Sequence, residues 1–199
     1  MKNRILETAR NQFLNIGYKK VTTEEIASEL GISKKTLYKY FSQKNKLLDA
    51  IVELTLIEIR SGCEKILYDE ELEFSQKLAA LMAFMGEKIS KFLKRPFLRE
   101  MQKNAPQIWT KIENFRKEMI FTNFTKLIEE GIKKGEFRAD VNHHLVVLIY
   151  FNAVQNIIHP EVLAEMPFSA AEAFQEIIKT LFQGILSEDA RKKLQSFQN

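Results

Sequence analysis

Cysteine is nearly missing from this chain: Cys63 stands alone among 199 residues. A disulfide within the chain is therefore excluded, nothing suggests an oxidising compartment, and the cytosol is the default location. The first ten residues lack an apolar run and carry Lys2, Arg4, Glu7 and Arg10 instead, so they do not read as a signal peptide. The longest uncharged stretch, residues 141–160, holds Asn142, His143, His144, Asn152, Gln155, Asn156 and His159. That is too polar for a lipid-exposed span, and a buried helix is expected.

Enzymatic signatures are missing as well. The sequence has no glycine-rich phosphate loop, no nucleophile elbow, no His-Glu-x-x-His and no cysteine cluster. His143 and His144 are neighbours, about 100° apart on a helix, with no further ligand one turn on. No catalytic residue, cofactor or metal site is expected, and neither an internal repeat nor a low-complexity tract is visible.

What is present is an ordinary globular composition, 45% apolar and 28% charged, with an uneven distribution of charge. Residues 1–48 hold ten Lys/Arg against four Glu, whereas residues 49–199 hold twenty basic residues against twenty-two acidic ones, giving the net +4. A basic quarter on a nearly neutral body implies a polyanionic partner touched at one end.

Within that quarter, residues 22–41 read TTEEIASELGISKKTLYKYF. Thr22 and Glu25 have the spacing of a capping box that opens a short helix. Gly31 ends it, because glycine takes a left-handed C′ conformation without a Cβ penalty. Ser33 then caps a second helix beginning at Lys34. Two short helices joined by a three-residue turn form a helix-turn-helix, and the preceding helix, with Ile5, Leu6, Ala9, Phe13 and Ile16 ahead of Gly17, supplies a third to pack on. On the second helix Leu37, Tyr40 and Phe41 share an inward face. Lys35, Tyr38 and Lys39 share the opposite one, with Lys34 and Thr36 at the margins, in the manner of a helix that reads a major groove.

These residues carry a resemblance. Residues 4–50, with Ala9, Phe13, Gly17, Tyr18, Thr22, Thr23, Ile26, Ala27, Gly31, Ser33, Thr36, Leu37, Tyr38, Tyr40, Phe41, Lys44 and Leu47 in place, resemble the N-terminal domain of the TetR/AcrR family of bacterial transcription regulators. The reading is an all-α protein of about nine helices. A helix-turn-helix domain over 1–48 precedes a helical effector-binding and dimerisation domain over 49–199. Lys34, Lys35, Thr36 and Tyr38 are expected at base edges. Thr22, Thr23, Lys39, Tyr40 and Lys44 are expected at phosphates, together with the helix N-termini, and Ser33 in the turn is counted among the DNA-binding residues. The Tyr40 ring is expected to pack and offer only its hydroxyl. The partner is then double-stranded DNA carrying a palindromic operator.

Beyond residue 48 the chain reads as successive apolar stripes. A helix from Lys44 to about Lys65 links the two parts without a flexible linker, and a single long helix is expected over about 107–134, closed by Gly135. Large apolar side chains exceed what a brace needs: Phe84, Met85, Met101, Trp109, Phe115, Met119, Phe124 and Tyr150, with amides at Asn152 and Gln155, form a candidate lining for a largely apolar ligand. The resemblance implies such an effector, whose binding shifts the fourth helix and releases DNA. An alternative is a body that answers to a protein partner or to nothing. The last long helix, about 170–186, has Phe174, Ile178, Leu181 and Ile185 in steps of three and four beside Phe182. With Val154 and Ile158 of the helix before it, this stripe is the expected homodimer interface, although the same spacing suits a helix covering its own core.

Overall fold

The computed structural model describes residues 1–196. It is all-α, and among the described residues there is no strand, only an isolated antiparallel bridge between Phe137 and Leu186. Three helices make the N-terminal unit: α1 (Lys2–Ile16), α2 (Thr23–Glu29) and α3 (Lys34–Tyr40). Next come α4 (Lys44–Leu67), α5 (Phe74–Phe92), α6 (Arg95–Asn104) and α7 (Pro106–Met119). A π-helical turn, Ile120–Phe124, runs straight into α8 (Thr125–Lys133), followed by α9 (His143–Ile157), α10 (Pro160–Glu165), α11 (Ala170–Ile185) and α12 (Glu188–Ser196). The count exceeds nine because the long helix over 107–134 is interrupted by the π turn and because α10 and α12 are short pieces.

Local chemistry sets the boundaries of the N-terminal unit. The Thr22 side chain accepts from Glu25 N–H and the Glu25 carboxylate accepts from Thr22 N–H, satisfying two donors at the start of α2. Gly31 sits at φ 66°, with its N–H on Ser28 C=O and Ile32 N–H on Ala27 C=O, the paired bonds that end a helix in a left-handed turn. Ser33 Oγ accepts from Thr36 N–H at 3.0 Å and opens α3. Ile5, Ala9, Phe13, Ile26 and Leu37 fill the small core between the three helices.

That core does not close on itself. α1 packs on both α4 and α6, and Leu47 and Leu48 of α4 are fully buried. Gly17, at φ 105°, brings the chain after α1 against Glu100 of α6, whose carboxylate accepts Lys19 N–H at 2.6 Å. Lys94 Nζ donates to Asn15 Oδ1 beside it. α4 crosses residues 48 and 49 unbroken.

In the body, α5 packs between α4 and α11, α7 also packs on α4, and α9 packs on α11 and α8. α9 is not buried all round. Val146, Val147, Tyr150 and Val154 face inward, while Leu145, Leu148, Ile149 and Ile157 remain exposed. A run of seven apolar residues allows any face to turn in, and packing against α8 and α11 selects one.

Candidate nucleic-acid interface and body cavity

α3 buries one residue, Leu37, and presents Lys34, Lys35, Tyr38 and Lys39 to solvent with Thr36 at the edge. Neighbours order this face. Lys34 forms an ion pair with Glu24 of α2, and its ammonium lies 5.7 Å from the centre of the Tyr38 ring. The Tyr38 hydroxyl is 3.1 Å from Thr23 Oγ1, and Thr23 is only 5% exposed, so this threonine braces α2 against α3. Lys35 and Lys39 extend from the exposed face, and among the described residues neither has such a tether.

Two expectations change in detail. The Tyr40 ring does not pack: it is 44% exposed, because α3 ends there and Phe41 turns into extended backbone and takes the buried place. Lys44 is partly withdrawn from solvent. Its ammonium lies 4.4 Å from the Tyr18 ring centre and 3.4 Å from Lys19 C=O, and burial pulls its pKa down against the opposing pull of Glu100 and Glu25. Thr22 stays exposed, with its hydroxyl engaged by the capping box.

The body holds a cavity of about 210 Å³ whose wall is almost wholly hydrocarbon, thioether and aromatic ring. Every layer contributes: Phe13 and Leu14 from α1; Ile51, Val52 and Leu56 from α4; Leu78, Met82 and Met85 from α5; Phe115 and Met119 from α7; Phe174, Ile178 and Phe182 from α11. The π turn supplies Ile120, Asn123 and Phe124. Its wider winding offsets the side chains of α7 from those of α8, a geometry often found at binding sites. Tyr150 lines the cavity stacked on Phe124 with centroids 4.0 Å apart, and burial pushes its phenol pKa up. Cys63 also lines it, donating to Met85 Sδ at 3.6 Å, with its thiol pushed up to about 11 by burial.

Five of the ten residues expected around a ligand therefore meet at the cavity: Met85, Phe115, Met119, Phe124 and Tyr150. The other five lie elsewhere. The Phe84 ring rests on Gly62 of α4, so close that a Cβ there would come within 2.1 Å of it. Met101 and Trp109 are buried among α6, α7 and α10, with Trp109 edge-on to His159. Asn152 is exposed and bonds back to Leu148 C=O. Gln155 stands behind the wall, accepting from Arg116 Nη1 at 3.5 Å and donating to Glu113 at 3.3 Å. Arg10, Lys88 and Arg116, all in the wall, escaped the sequence reading because cations on otherwise amphipathic helices look like solvated edges.

The expected interface stripe is placed differently from a free seam. Val154, Ile158, Phe174, Ile178, Phe182 and Ile185 are each no more than 6% exposed inside the chain's own core, and Leu181 is half-buried. The apolar surface left on this side is the outer face of α9, with Leu145, Leu148, Ile149 and Ile157. Among the described residues no helix is long and apolar enough to cross a membrane, and no group of three or more His, Cys, Asp or Glu is placed to hold a metal ion.

Comparison with known proteins agrees with this architecture. Residues 5–51 match the family model for bacterial regulatory proteins of the tetR family, and residues 96–184 match that of the YsiA-like protein C-terminal region. An uncharacterized HTH-type transcriptional regulator, YvaF of Bacillus subtilis, is 27% identical over 168 residues, covering 84% of this chain and 87% of its own. Among solved structures, the TetR family transcriptional regulator PfmR from Thermus thermophilus superposes with a TM-score of 0.62 at 24% identity, over 90% of this chain and 97% of that one. A transcriptional regulator from Cytophaga hutchinsonii gives 0.69 at 19% identity, over 92% and 97%. With both domain matches in register with a basic helix-turn-helix and a helical body, the chain belongs to the TetR family of DNA-binding transcriptional regulators.

Proposed function

We propose that the protein is a homodimeric repressor of a palindromic operator, released when a small, largely apolar ligand enters the body cavity. The observation that carries this reading is the make-up of the cavity wall. Phe13 and Leu14 belong to α1 of the DNA-binding unit, and Ile51 and Val52 to the start of α4, so a ligand inside touches both the reading head and the helix that bears it. An occupant that fits one orientation of the head better than another shifts the DNA-binding equilibrium by that difference in affinity.

Two copies joined through the exposed face of α9 would place two α3 helices on one side of the DNA, as half-sites about one helical turn apart require. In this reading residues 1–48 contact DNA and residues 49–199 bind effector and partner. Lys34, Lys35, Thr36 and Tyr38 face base edges, while Thr22, Ser33, Lys39, Tyr40 and Lys44 hold backbone phosphates. Thr23 contributes indirectly by fixing Tyr38.

The test is selection of binding sites from random double-stranded DNA, followed by anisotropy titrations across a salt series. A palindromic winner preferred strongly over random sequence is expected. Lys35→Ala should change the preferred bases, whereas Lys44→Ala should weaken all sequences alike and reduce the salt slope by about 0.9. Weak binding indifferent to sequence would overturn the operator reading.

A further inference from the structure

The cavity wall is mostly apolar but includes charged side chains where α1 and α5 face α4. There two cations line it, Arg10 from α1 and Lys88 from α5. They share one carboxylate, Glu58 of α4, which is not part of the wall: Arg10 Nη2 is 3.3 Å from Glu58 Oε1, and Lys88 Nζ is 3.9 Å from Oε2, beyond hydrogen-bond distance. The cations are mostly buried, with side chains 15% and 16% exposed, whereas Glu58 is 43% exposed and faces water. Phe92 fixes both in place, its ring centre 5.5 Å from the Arg10 guanidinium and 6.0 Å from Lys88 Nζ. Arg10 Nε is buried and, among the described residues, has no hydrogen-bond partner. A buried donor left unpaired is costly, and an acceptor arriving from the cavity relieves it.

Arg116, also in the wall, does not invite an anion in the same way. It donates to the neutral Gln155 amide, which donates in turn to Glu113, and among the described residues none of its nitrogens is left buried without a partner, as Arg10 Nε is. The shape of the space adds a second constraint. On α4 alone the wall extends from Ile51 to Leu67, roughly 24 Å of helix at about 1.5 Å per residue. A volume of about 210 Å³ drawn out over that length suits a thin, flexible chain better than a compact ring system.

We infer that the cavity takes an anionic amphiphile, a single long hydrocarbon chain ending in one acidic group, with an acid oxygen at Arg10 Nε and Lys88 Nζ. This rests on the reading of the cavity as the effector site and adds the chemical class of the effector and the place of its head group. Because Arg10 belongs to α1, the acid end contacts the reading head itself.

Calorimetric titration of the full chain with dodecanoate, dodecyl phosphate and dodecanol, each below its micelle concentration, tests this without any variant. At least one acidic ligand should bind tenfold or more tighter than the alcohol; the tighter of the two identifies a carboxylate or a phosphate as the natural head group. Arg10→Met and Lys88→Met should each bring the acid down towards the affinity of dodecanol and leave dodecanol unchanged. Glu58→Gln, which removes the competing carboxylate, should tighten the acid several-fold. Equal binding of acids and alcohol would overturn the head-group site while leaving the cavity reading intact. Binding of none of the three would overturn both.

Discussion

Replacing Gly17 by alanine tests how the DNA-binding unit is fastened to the body. At φ 105° and ψ 145° the backbone occupies a region that residues with a Cβ rarely adopt, a strain of about 1–3 kcal/mol. The new Cβ would also stand 3.0 Å from both oxygens of the Glu100 carboxylate, which must then yield. That carboxylate accepts Lys19 N–H at 2.6 Å, and weakening this charged hydrogen bond adds about 1 kcal/mol. The expected loss is roughly 2–4 kcal/mol. Gly31→Ala is the matched control: its φ is 66° and nothing lies within 4 Å of the added Cβ, so only the left-handed backbone costs, about 1–2 kcal/mol. Urea unfolding of both variants, repeated in a Glu100→Ala background, separates strain from contact. If Gly17→Ala costs no more than Gly31→Ala, or if removing Glu100 leaves the Gly17 penalty unchanged, the clamp between α1 and α6 is not the cause.

Ile149→Glu, on the exposed face of α9, should give a folded monomer by light scattering, whereas Ile178→Glu, 3% exposed, should lose about 3–5 kcal/mol by leaving a charge unpaired in the core; a dimeric Ile149→Glu would exclude this face of α9. Native Cys63 should resist iodoacetamide at pH 8 and react on unfolding, since a thiol at about 11 is only ~0.1% ionised there. Rapid native alkylation would contradict its burial. The Glu25 carboxyl is held below its ordinary 4.5 first by Thr22 N–H and then by the Thr22 hydroxyl. A lowered folded pKa stabilises above the unfolded value, so this support for α2 should be lost as pH falls below about 4.5 through the folded pKa. Helicity of Glu25→Gln should show a shallower acid transition, and an unchanged one would remove the capping box from the account.

Helix starts and stops were legible because they are decided by neighbours in sequence. Thr22 with Glu25 and Ser33 with Thr36 close bonds within one turn, as the spacing suggested; Ser169 with Glu172 closes the same box but was not read from the sequence. Which face of an apolar helix turns inward was not legible on α9, since Leu145 and Val147 are equally apolar and packing against α8 and α11 separates them. The same limit explains why Phe84, Met101 and Trp109 were grouped with cavity residues: size and apolarity do not say whether a side chain meets a void or a neighbour. The π turn left no signal, and the Arg10, Glu58 and Lys88 cluster joins three helices far apart in sequence.

The uninterrupted course of α4 fixes a mechanical ratio. Its 24 residues span about 36 Å, so a tilt of about 5° about its far end carries the near end roughly 3 Å sideways. DNA advances by about 3.4 Å per base pair. A rotation small enough to be absorbed by side-chain repacking around the cavity therefore displaces the reading end by nearly one base step, and a break in the rod, such as proline placed near Leu54, would uncouple the two movements.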